Sequence, residues 1–230
     1  MEFDWRRYFE EKFQNYRQSS LMQVGKSIDG REVPWTQVDL IINHLVTSLN
    51  LKKTDNVIDL GCGNGIITEA LATKVLSIKG YDFSPSLIKR AKELKKHKNV
   101  KYSVVDLRKI NSNHLKDVNI VLLYEVLQHL TIQEFSQFME SLSANAYIGS
   151  RIFIGGIPDK ARLRRFYNTD SKYNYFLASQ EKKQPHLGLW WSKKDLFNTI
   201  DHFGWTFDWV SQPTTLYTSH YRFDCILNKS

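Results

Sequence analysis

The sequence predicts an α/β fold in which a mostly parallel sheet is covered by helices on both faces. From residue 56 onward, short apolar runs alternate with amphipathic segments, which is the pattern of strand–helix–strand units joined by right-handed crossovers. The first of these runs, Asn56–Leu60, leads directly into a glycine-rich turn and a helix. A length of 230 residues, with 42% hydrophobic and 24% charged residues, fits one globular α/β domain with a terminal extension.

Two amphipathic helices are predicted in the first fifty residues. Trp5–Tyr16 places aromatic residues at helical spacing, and a second apolar stripe runs from Thr36 to Leu49. Between them, the glycines and the proline of residues 25–34 predict a break. We therefore expect an N-terminal helical cap over residues 1–50 and a main domain over residues 51–230.

The main domain is predicted to continue as alternating strands and helices. The predicted strands are Asn56–Leu60, Val75–Tyr81, Lys101–Val105, Val118–Tyr124, Arg151–Gly155, Trp205–Val210 and Tyr221–Leu227. The predicted helices are Gly65–Thr73, Ser84–Lys96, Ile132–Ala144 and Lys193–Phe203, the second with Ser84 as its N-cap and Pro85 in its first turn. The alternation stops over residues 157–189, a basic and aromatic stretch that we interpret as a functional insertion.

Composition argues against several classes of protein. The two cysteines, Cys62 and Cys225, lie in no Cys/His cluster, so we expect neither a metal site nor a disulfide framework. The N-terminus lacks the apolar segment of a signal peptide, and no run of about 18 apolar residues occurs, so we expect a cytoplasmic protein without a membrane span. The net charge is +8, and Arg151–Lys194 contains ten basic and three acidic residues. This patch indicates either a phosphate-bearing partner or a solvated surface, and the two interpretations stay open.

The glycine-rich turn after the first strand is the strongest chemical signal. Its sequence, D-L-G-C-G-N-G from Asp59 to Gly65, removes the Cβ atoms that would block a ligand and precedes a helix N-terminus. Such a turn lies at the carboxyl ends of the strands, where open α/β sheets bind ligands. The dinucleotide fingerprint G-x-G-x-x-G fails here, because its third glycine would fall on Ile66.

The same turn resembles the first motif of the class I S-adenosylmethionine-dependent methyltransferases. Three further segments resemble later motifs of that family in the right order: G-Y-D-F-S-P at 80–85, V-D-L at 105–107 and L-Y-E-V-L-Q-H-L at 123–130. The resemblance covers about residues 55–156. It implies a Rossmann-like, seven-stranded sheet whose last strand is antiparallel, S-adenosyl-L-methionine as the cofactor, and methyl transfer as the reaction.

The resemblance also implies roles for individual residues. Asp82 would hold the two ribose hydroxyls, Asp106 would lie beside the adenine amine, and Asp59 would orient the turn or contact the cofactor amine. We further expect Arg17 and Gln23 to reach the cofactor carboxylate. The predicted cofactor-binding residues are Asp59, Gly61, Cys62, Gly63, Gly65, Asp82, Phe83, Asp106, Leu107 and Tyr124.

Three residues are candidates for the proton chemistry. His129 is the first candidate for a general base, since an imidazole titrates near neutral pH. Glu125 and His186 are the alternatives, and each of the three could instead have a structural role. The insertion is predicted to cover the acceptor pocket, and replacing its Arg162, Arg164 and Arg165 by alanine is expected to cut turnover and leave cofactor affinity almost unchanged.

The methyl acceptor is predicted only by class. Neither Cys62 nor Cys225 lies just after the fourth strand, where C5-pyrimidine enzymes need a nucleophilic cysteine. That strand ends in L-Y-E-V, so the N/D-P-P-Y/W motif of amino-methylating DNA enzymes is also missing. We expect an oxygen or nitrogen atom of a small molecule or glycan precursor, and a phosphorylated or nucleotide-linked acceptor is among the candidates. An RNA or protein acceptor is the alternative, and the sequence does not predict an oligomeric state.

Overall fold

A seven-stranded mixed sheet lies at the centre of the protein, which is described here by a computed structural model over residues 3–229. The strands in chain order are β1 (Ser27–Ile28), β2 (Arg31–Glu32), β3 (Asn56–Leu60), β4 (Ser77–Asp82), β5 (Val100–Val104), β6 (Ile120–Tyr124), β7 (Arg151–Pro158), β8 (Trp205–Val210) and β9 (Arg222–Lys229). The first two form a separate small hairpin. The other seven form the main sheet in the order β5-β4-β3-β6-β7-β9-β8.

The direction of the strands confirms the predicted fold. All pairs from β5 across to β7 are parallel, and β9 pairs antiparallel with both β7 and β8. The last strand of the chain is therefore the antiparallel one. Because the strand order reverses between β3 and β6, a crevice opens at their carboxyl ends.

Helices cover both faces of the sheet. They are α1 (Trp5–Asn15), α2 (Ser20–Gln23), α3 (Trp35–Leu49), α4 (Ile66–Ala72), α5 (Pro85–Leu94), α6 (Ser112–Leu115), α7 (Ile132–Ser143), α8 (Leu163–Phe166), α9 (Asp170–Glu181) and α10 (Lys193–Ile200). Alternate residues of a strand face opposite sides. Val57 of β3 accordingly packs with α3, α4 and α5, and its neighbour Ile58 packs with α7 and α10.

The N-terminal region differs in detail from the prediction. The expected break at residues 25–34 contains the β1–β2 hairpin, and the short helix α2 precedes it. Helix α3 begins at Trp35, one residue before the predicted start, because Pro34 occupies the cap position with φ −60°. Helix α3 contributes fully buried residues to the sheet core, whereas α1 has no buried residue and lies over the strand ends. The domain division at residue 50 stays a prediction.

The boundary of the insertion also differs. Strand β7 continues to Pro158, with a bulge between Ile154 and Ile157 in its pairing with β9, so the first two residues of the predicted insertion belong to the sheet. A backbone bridge between Asp159 and Trp191 closes the insertion at its base. The segment between them contains α8 and α9, which local periodicity did not predict.

Within residues 3–229, no helix is long and apolar enough to cross a membrane. The same residues contain no group of three or more His, Cys, Asp and Glu side chains that could hold a metal ion.

Candidate active site

A cavity of about 740 Å³ opens at the carboxyl ends of β3, β4 and β6. The glycine turn, the loops after β4, β5 and β6, and the amino end of β9 form its walls. Helix α1 and the carboxyl-terminal third of the insertion, Ser179–Leu189, cover it. Its volume lies within the range of pockets that enclose small ligands.

The glycine turn is fixed to the neighbouring strand by backbone hydrogen bonds. The amides of Gly61 and Cys62 both donate to the carbonyl oxygen of Tyr81, at 2.7 and 3.0 Å. Gly61 has φ +76°, and a Cβ atom there would lie 2.4 Å from Cγ2 of Val126. A side chain at this position would therefore strain the backbone and displace the loop after β6.

Asp82 ends β4 and lies in the cavity wall beside the turn. Its carboxylate accepts hydrogen bonds from the amides of Gly63 and Ser84, both at 2.9 Å, one at each oxygen. Burial raises its pKa to about 6, although these amides favour the ionised form. Each carboxylate oxygen can accept a second hydrogen bond, so Asp82 can still hold two hydroxyl groups of a ligand.

Asp59 and Gly65 lie behind the turn and do not line the cavity. Asp59 accepts a hydrogen bond from the Thr68 hydroxyl at 2.6 Å, and burial raises the pKa of Asp59 to about 7. At Gly65 a Cβ atom would lie 2.5 Å from the hydroxyl oxygen of Tyr102. Both residues support the turn and the start of α4 in this structure, and their contact with a cofactor stays a prediction.

The loops after β4 and β5 form one end of the cavity. Phe83, Asp106 and Leu107 all line it, and their contact with a cofactor stays a prediction. The Arg108 guanidinium donates to both carboxylate oxygens of Asp106 and also to Glu134. Burial opposes ionisation of Asp106, but these hydrogen bonds and the charge of Arg108 hold its pKa below the usual range.

Glu125 lies at the opposite end, directly after β6. Its backbone is in the left-handed region with φ +59°, and its Oε2 atom pairs with the Lys26 ammonium at 3.0 Å. Burial opposes ionisation, but Lys26 and the Arg222 guanidinium hold the pKa of Glu125 below its usual range. The second oxygen, Oε1, is buried and has no hydrogen-bond partner among the described residues. Glu125 is therefore an ionised hydrogen-bond acceptor with one free oxygen.

His129 follows one 3₁₀ turn later, under the aromatic face of α1. Its ring centroid lies 4.1 Å from that of Trp5 and 5.4 Å from that of Phe9. Burial, helped by the positive charge of Arg222, lowers the pKa of His129 to about 3. The imidazole is therefore neutral near pH 7, and its Nδ1 atom has no partner within the described part of the chain.

His186 is the third predicted catalytic residue, and it lies at the rim of the cavity. Its side chain is exposed, and its Nδ1 atom lies 3.3 Å from the hydroxyl of Tyr167. Three of the predicted cofactor-binding residues, Cys62, Gly63 and Tyr124, also line the cavity. Their contact with a cofactor stays a prediction.

The three arginines of the insertion lie outside the cavity wall, and their effect on turnover stays a prediction. None of Arg162, Arg164 and Arg165 lines the cavity. The side chain of Arg162 pairs with Asp159, and that of Arg164 stacks on the ring of Tyr173. Arg162 also donates to the carbonyl oxygens of Ser219 and Arg222, and neither side chain is directed at the cavity.

The predicted contact of Arg17 and Gln23 with a cofactor carboxylate is also not supported, because neither lines the cavity. Gln23 is fully buried and bonds to the side chain of Asn64, and Arg17 bonds to Gln14. Two cations that line the cavity near Glu125, Lys26 and Arg222, were not singled out from the sequence. Only the long-range topology brings them to the end of β6, and no local motif signals them.

The family comparison places the chain among methyltransferases. A family model described as "Methyltransferase domain" matches residues 51–203. An uncharacterized methyltransferase of Schizosaccharomyces pombe is 39% identical over 57 residues, which are 25% of this chain and 22% of the relative. The ubiquinone biosynthesis O-methyltransferase of Coxiella burnetii is 28% identical over 124 residues, which are 50% of this chain and 52% of the relative. The chain thus spans about a fifth of the first relative's length and about half of the second's.

The structural comparison supports the same fold over nearly the whole chain. The magnesium protoporphyrin IX methyltransferase of Synechocystis PCC 6803, solved with bound SAH, matches with a TM-score of 0.65 at 18% identity. The match covers 98% of each chain. The same enzyme with bound SAM gives a TM-score of 0.63. The family match and the shared fold together show that the chain belongs to the class I S-adenosylmethionine-dependent methyltransferases.

Proposed function

We propose that this chain binds S-adenosylmethionine along the glycine turn and transfers its methyl group to an oxygen or nitrogen atom of a small molecule. The observation that supports this most is the continuity of the cavity. It joins the turn and Asp82 at one end to Glu125 and His129 at the other, under a single cover formed by α1 and the insertion. A cofactor at the first end and an acceptor at the second would meet within one enclosed space.

The cofactor end offers complementary groups for a nucleoside. The carboxylate of Asp82 has free lone pairs for ribose hydroxyls, and Phe83 and Leu107 offer apolar surface for a base. Bound there, S-adenosylmethionine supplies an activated methyl group. The protein must then bind, align and dry the acceptor, because methyl transfer from a sulfonium is an in-line displacement.

The acceptor end is suited to orienting a nucleophile. Glu125 presents a buried acceptor oxygen that lacks a partner in residues 3–229, and His129 presents its Nδ1 atom, which also lacks one. Because the Gln128 amide donates to Nε2 of His129, the proton of the neutral ring lies on Nδ1, which is a donor. A hydroxyl or amine of the acceptor would donate to Glu125, an oxygen of the acceptor would accept from the ring N–H of His129, and the acceptor would so be fixed for attack. A histidine whose pKa is about 3 is a weak base. We therefore assign orientation of the acceptor to His129, and infer that it does not remove a proton before transfer.

The cover favours a small acceptor over a polymer. Helix α1 lies over His129 through the ring of Trp5. It also lies over Phe83 through Phe9, and the ring centroids of Phe9 and Phe83 are 6.1 Å apart. A glycan precursor or another small molecule can be enclosed beneath such a cover, whereas RNA or a protein chain would need an open groove. Two of the related enzymes support this class, since their names refer to ubiquinone biosynthesis and to magnesium protoporphyrin IX.

A labelling experiment tests the proposal. The purified protein would be incubated with methyl-labelled S-adenosylmethionine and either a small-molecule extract or an RNA and protein fraction. We expect label in small molecules by mass spectrometry, and a large loss of label with Asp82→Ala and with Glu125→Gln. Label found in the polymer fraction alone would contradict the proposed acceptor class.

A further inference from the structure

The wall of the cavity beyond β6 contains more buried positive than negative charge. Lys26 and Arg222 are each 4% exposed, and both line the cavity. Glu125 is the one acidic side chain within ion-pair distance of either cation in the described residues, through its 3.0 Å contact with Lys26. Two cations and one anion leave an excess of one positive charge.

The hydrogen bonds of Arg222 are incomplete. Its Nη1 atom donates to the side-chain oxygen of Gln128 and to the carbonyl oxygen of Gly156, both of which are uncharged. Its buried Nε atom has no partner in the described chain. A buried guanidinium with an unused donor and no paired anion is costly, so the site is incomplete as it stands.

The nearby carboxylate of Asp224 does not neutralise the excess positive charge of this site. Asp224 lies two residues along β9, but it is fully buried and does not line the cavity. Its Oδ1 atom accepts from the Gly156 amide and from the side chain of Gln212, and its Oδ2 atom lies 2.7 Å from the His44 ring. These contacts leave the excess charge at the cavity wall unchanged.

The sheet order places Arg222 away from the glycine turn. Strand β9 lies beyond β7, which lies beyond β6. Neighbouring strands are separated by about 4.8 Å, so the start of β9 is roughly 14 Å from the strand that ends in the glycine turn. This distance assigns the cation to the acceptor half of the cavity.

We propose that the methyl acceptor carries an oxyanion, a carboxylate or a phosphate, which is bound by Arg222 and Lys26, and that its apolar body lies under the aromatic face of α1. The inference rests on the proposed function and specifies its substrate class. An oxyanion supplies the missing charge and accepts from the free Nε donor of Arg222. Trp5, Tyr8 and Phe9 line the opposite wall and offer apolar surface to the rest of the molecule.

Simple probes can test this subsite before the acceptor is known. Benzoate and phenyl phosphate would be titrated by calorimetry into the protein saturated with SAH, with benzamide as the neutral control. We expect at least one of the two anions to bind about tenfold or more tightly than benzamide, since the difference reports a charge-assisted contact. Lys26→Met and Arg222→Lys should each weaken anion binding about fivefold or more, while their affinity for SAH stays within about threefold.

A control variant distinguishes this subsite from a general effect of positive charge. Lys172→Met removes an exposed cation that does not line the cavity, and it should leave anion binding unchanged. Equal binding of both anions and benzamide would overturn the proposal. So would a loss of SAH affinity in Lys26→Met that matches its loss of anion affinity, because the cations would then hold the cofactor's own carboxylate. Failure of the unaltered protein to bind SAH would refute the proposed function, and the same titration on the cofactor-free protein would still test the oxyanion subsite.

Discussion

The indole ring of Trp5 lies 4.1 Å from the imidazole of His129, measured between ring centroids, with an interplanar angle of 57°. The two residues are 124 positions apart in the chain, one on the N-terminal helix and one after β6. Helix α1 has no fully buried residue, so its aromatic face meets the protein mainly through contacts of this kind. The position of helix α1 over the cavity therefore controls how deeply His129, the candidate acceptor-binding histidine, is buried.

Replacing Trp5 by alanine tests this coupling. Removal of the indole would expose His129 to water and reduce the burial that lowers its pKa. We expect Trp5→Ala to raise the pKa of His129 from about 3 toward the ordinary value of 6.5, as followed by NMR titration of the ring. Trp35→Ala is the matched control, since Trp35 is 55% exposed and does not line the cavity. An unchanged titration in Trp5→Ala would show that the helix does not control the environment of His129.

The pKa of Asp82 predicts how cofactor binding depends on pH. Burial raises this pKa to about 6, and only the ionised carboxylate can accept from both ribose hydroxyls. The carboxylate is ionised above pH 6 and takes up a proton below it. The affinity for SAH should therefore be constant above about pH 6 and fall by about tenfold per pH unit below it. Calorimetry across this range measures it, and Asp82→Asn should give a weaker affinity without this dependence. The same steep fall in Asp82→Asn would assign the titration to another group.

The ion pair between Lys26 and Glu125 predicts a non-additive effect on stability. Removal of one partner leaves a buried charge without its counterion and costs about 3–5 kcal/mol. We expect Glu125→Gln, which leaves two buried cations, to lower the free energy of unfolding by about this amount, and Lys26→Met to lower it by less, because Arg222 still favours the ionised form of Glu125. The double variant should lose less than the sum, as measured by urea unfolding. Strict additivity would show that the two side chains do not interact in solution.

Gly61 predicts a steric coupling between the turn and the loop after β6. Alanine at position 61 would adopt φ +76° and place its Cβ atom 2.4 Å from the side chain of Val126. We expect Gly61→Ala to lose stability and SAH affinity, because both the backbone and the loop must shift. Adding Val126→Ala removes the steric conflict and should restore part of the loss. No recovery in the double variant would mean that backbone strain alone decides the position.

The sequence predicted the sheet and the turn because both follow from local patterns. The apolar run from Val57 to Leu60 and the glycines after it define β3 and its turn without reference to the rest of the chain. Ser84 and Pro85 likewise predict the start of α5, which the structure confirms with a hydrogen bond from the Leu87 amide to the Ser84 hydroxyl.

The acceptor end could not be predicted in the same way. Lys26 and Glu125 are 99 positions apart, and Arg222 and Gln128 are 94 apart. Only the folded chain brings the two members of each pair into contact. The sequence indicated a basic insertion, but it could not show that Arg162 would donate to the backbone carbonyl of Arg222, 60 positions away. The charge of a segment can be counted from its sequence, whereas the direction of a side chain depends on its tertiary contacts.

The most direct test of the cofactor site is calorimetric titration of SAH into the unaltered protein and into Asp82→Ala. We expect a single cofactor site in the unaltered protein and an affinity about tenfold to a hundredfold weaker in the variant, from the loss of charge-assisted hydrogen bonds to the ribose. NAD should give no binding heat with either protein. Equal affinity for SAH in a variant that remains folded, or binding of NAD in place of SAH, would contradict a nucleoside site at the end of β4.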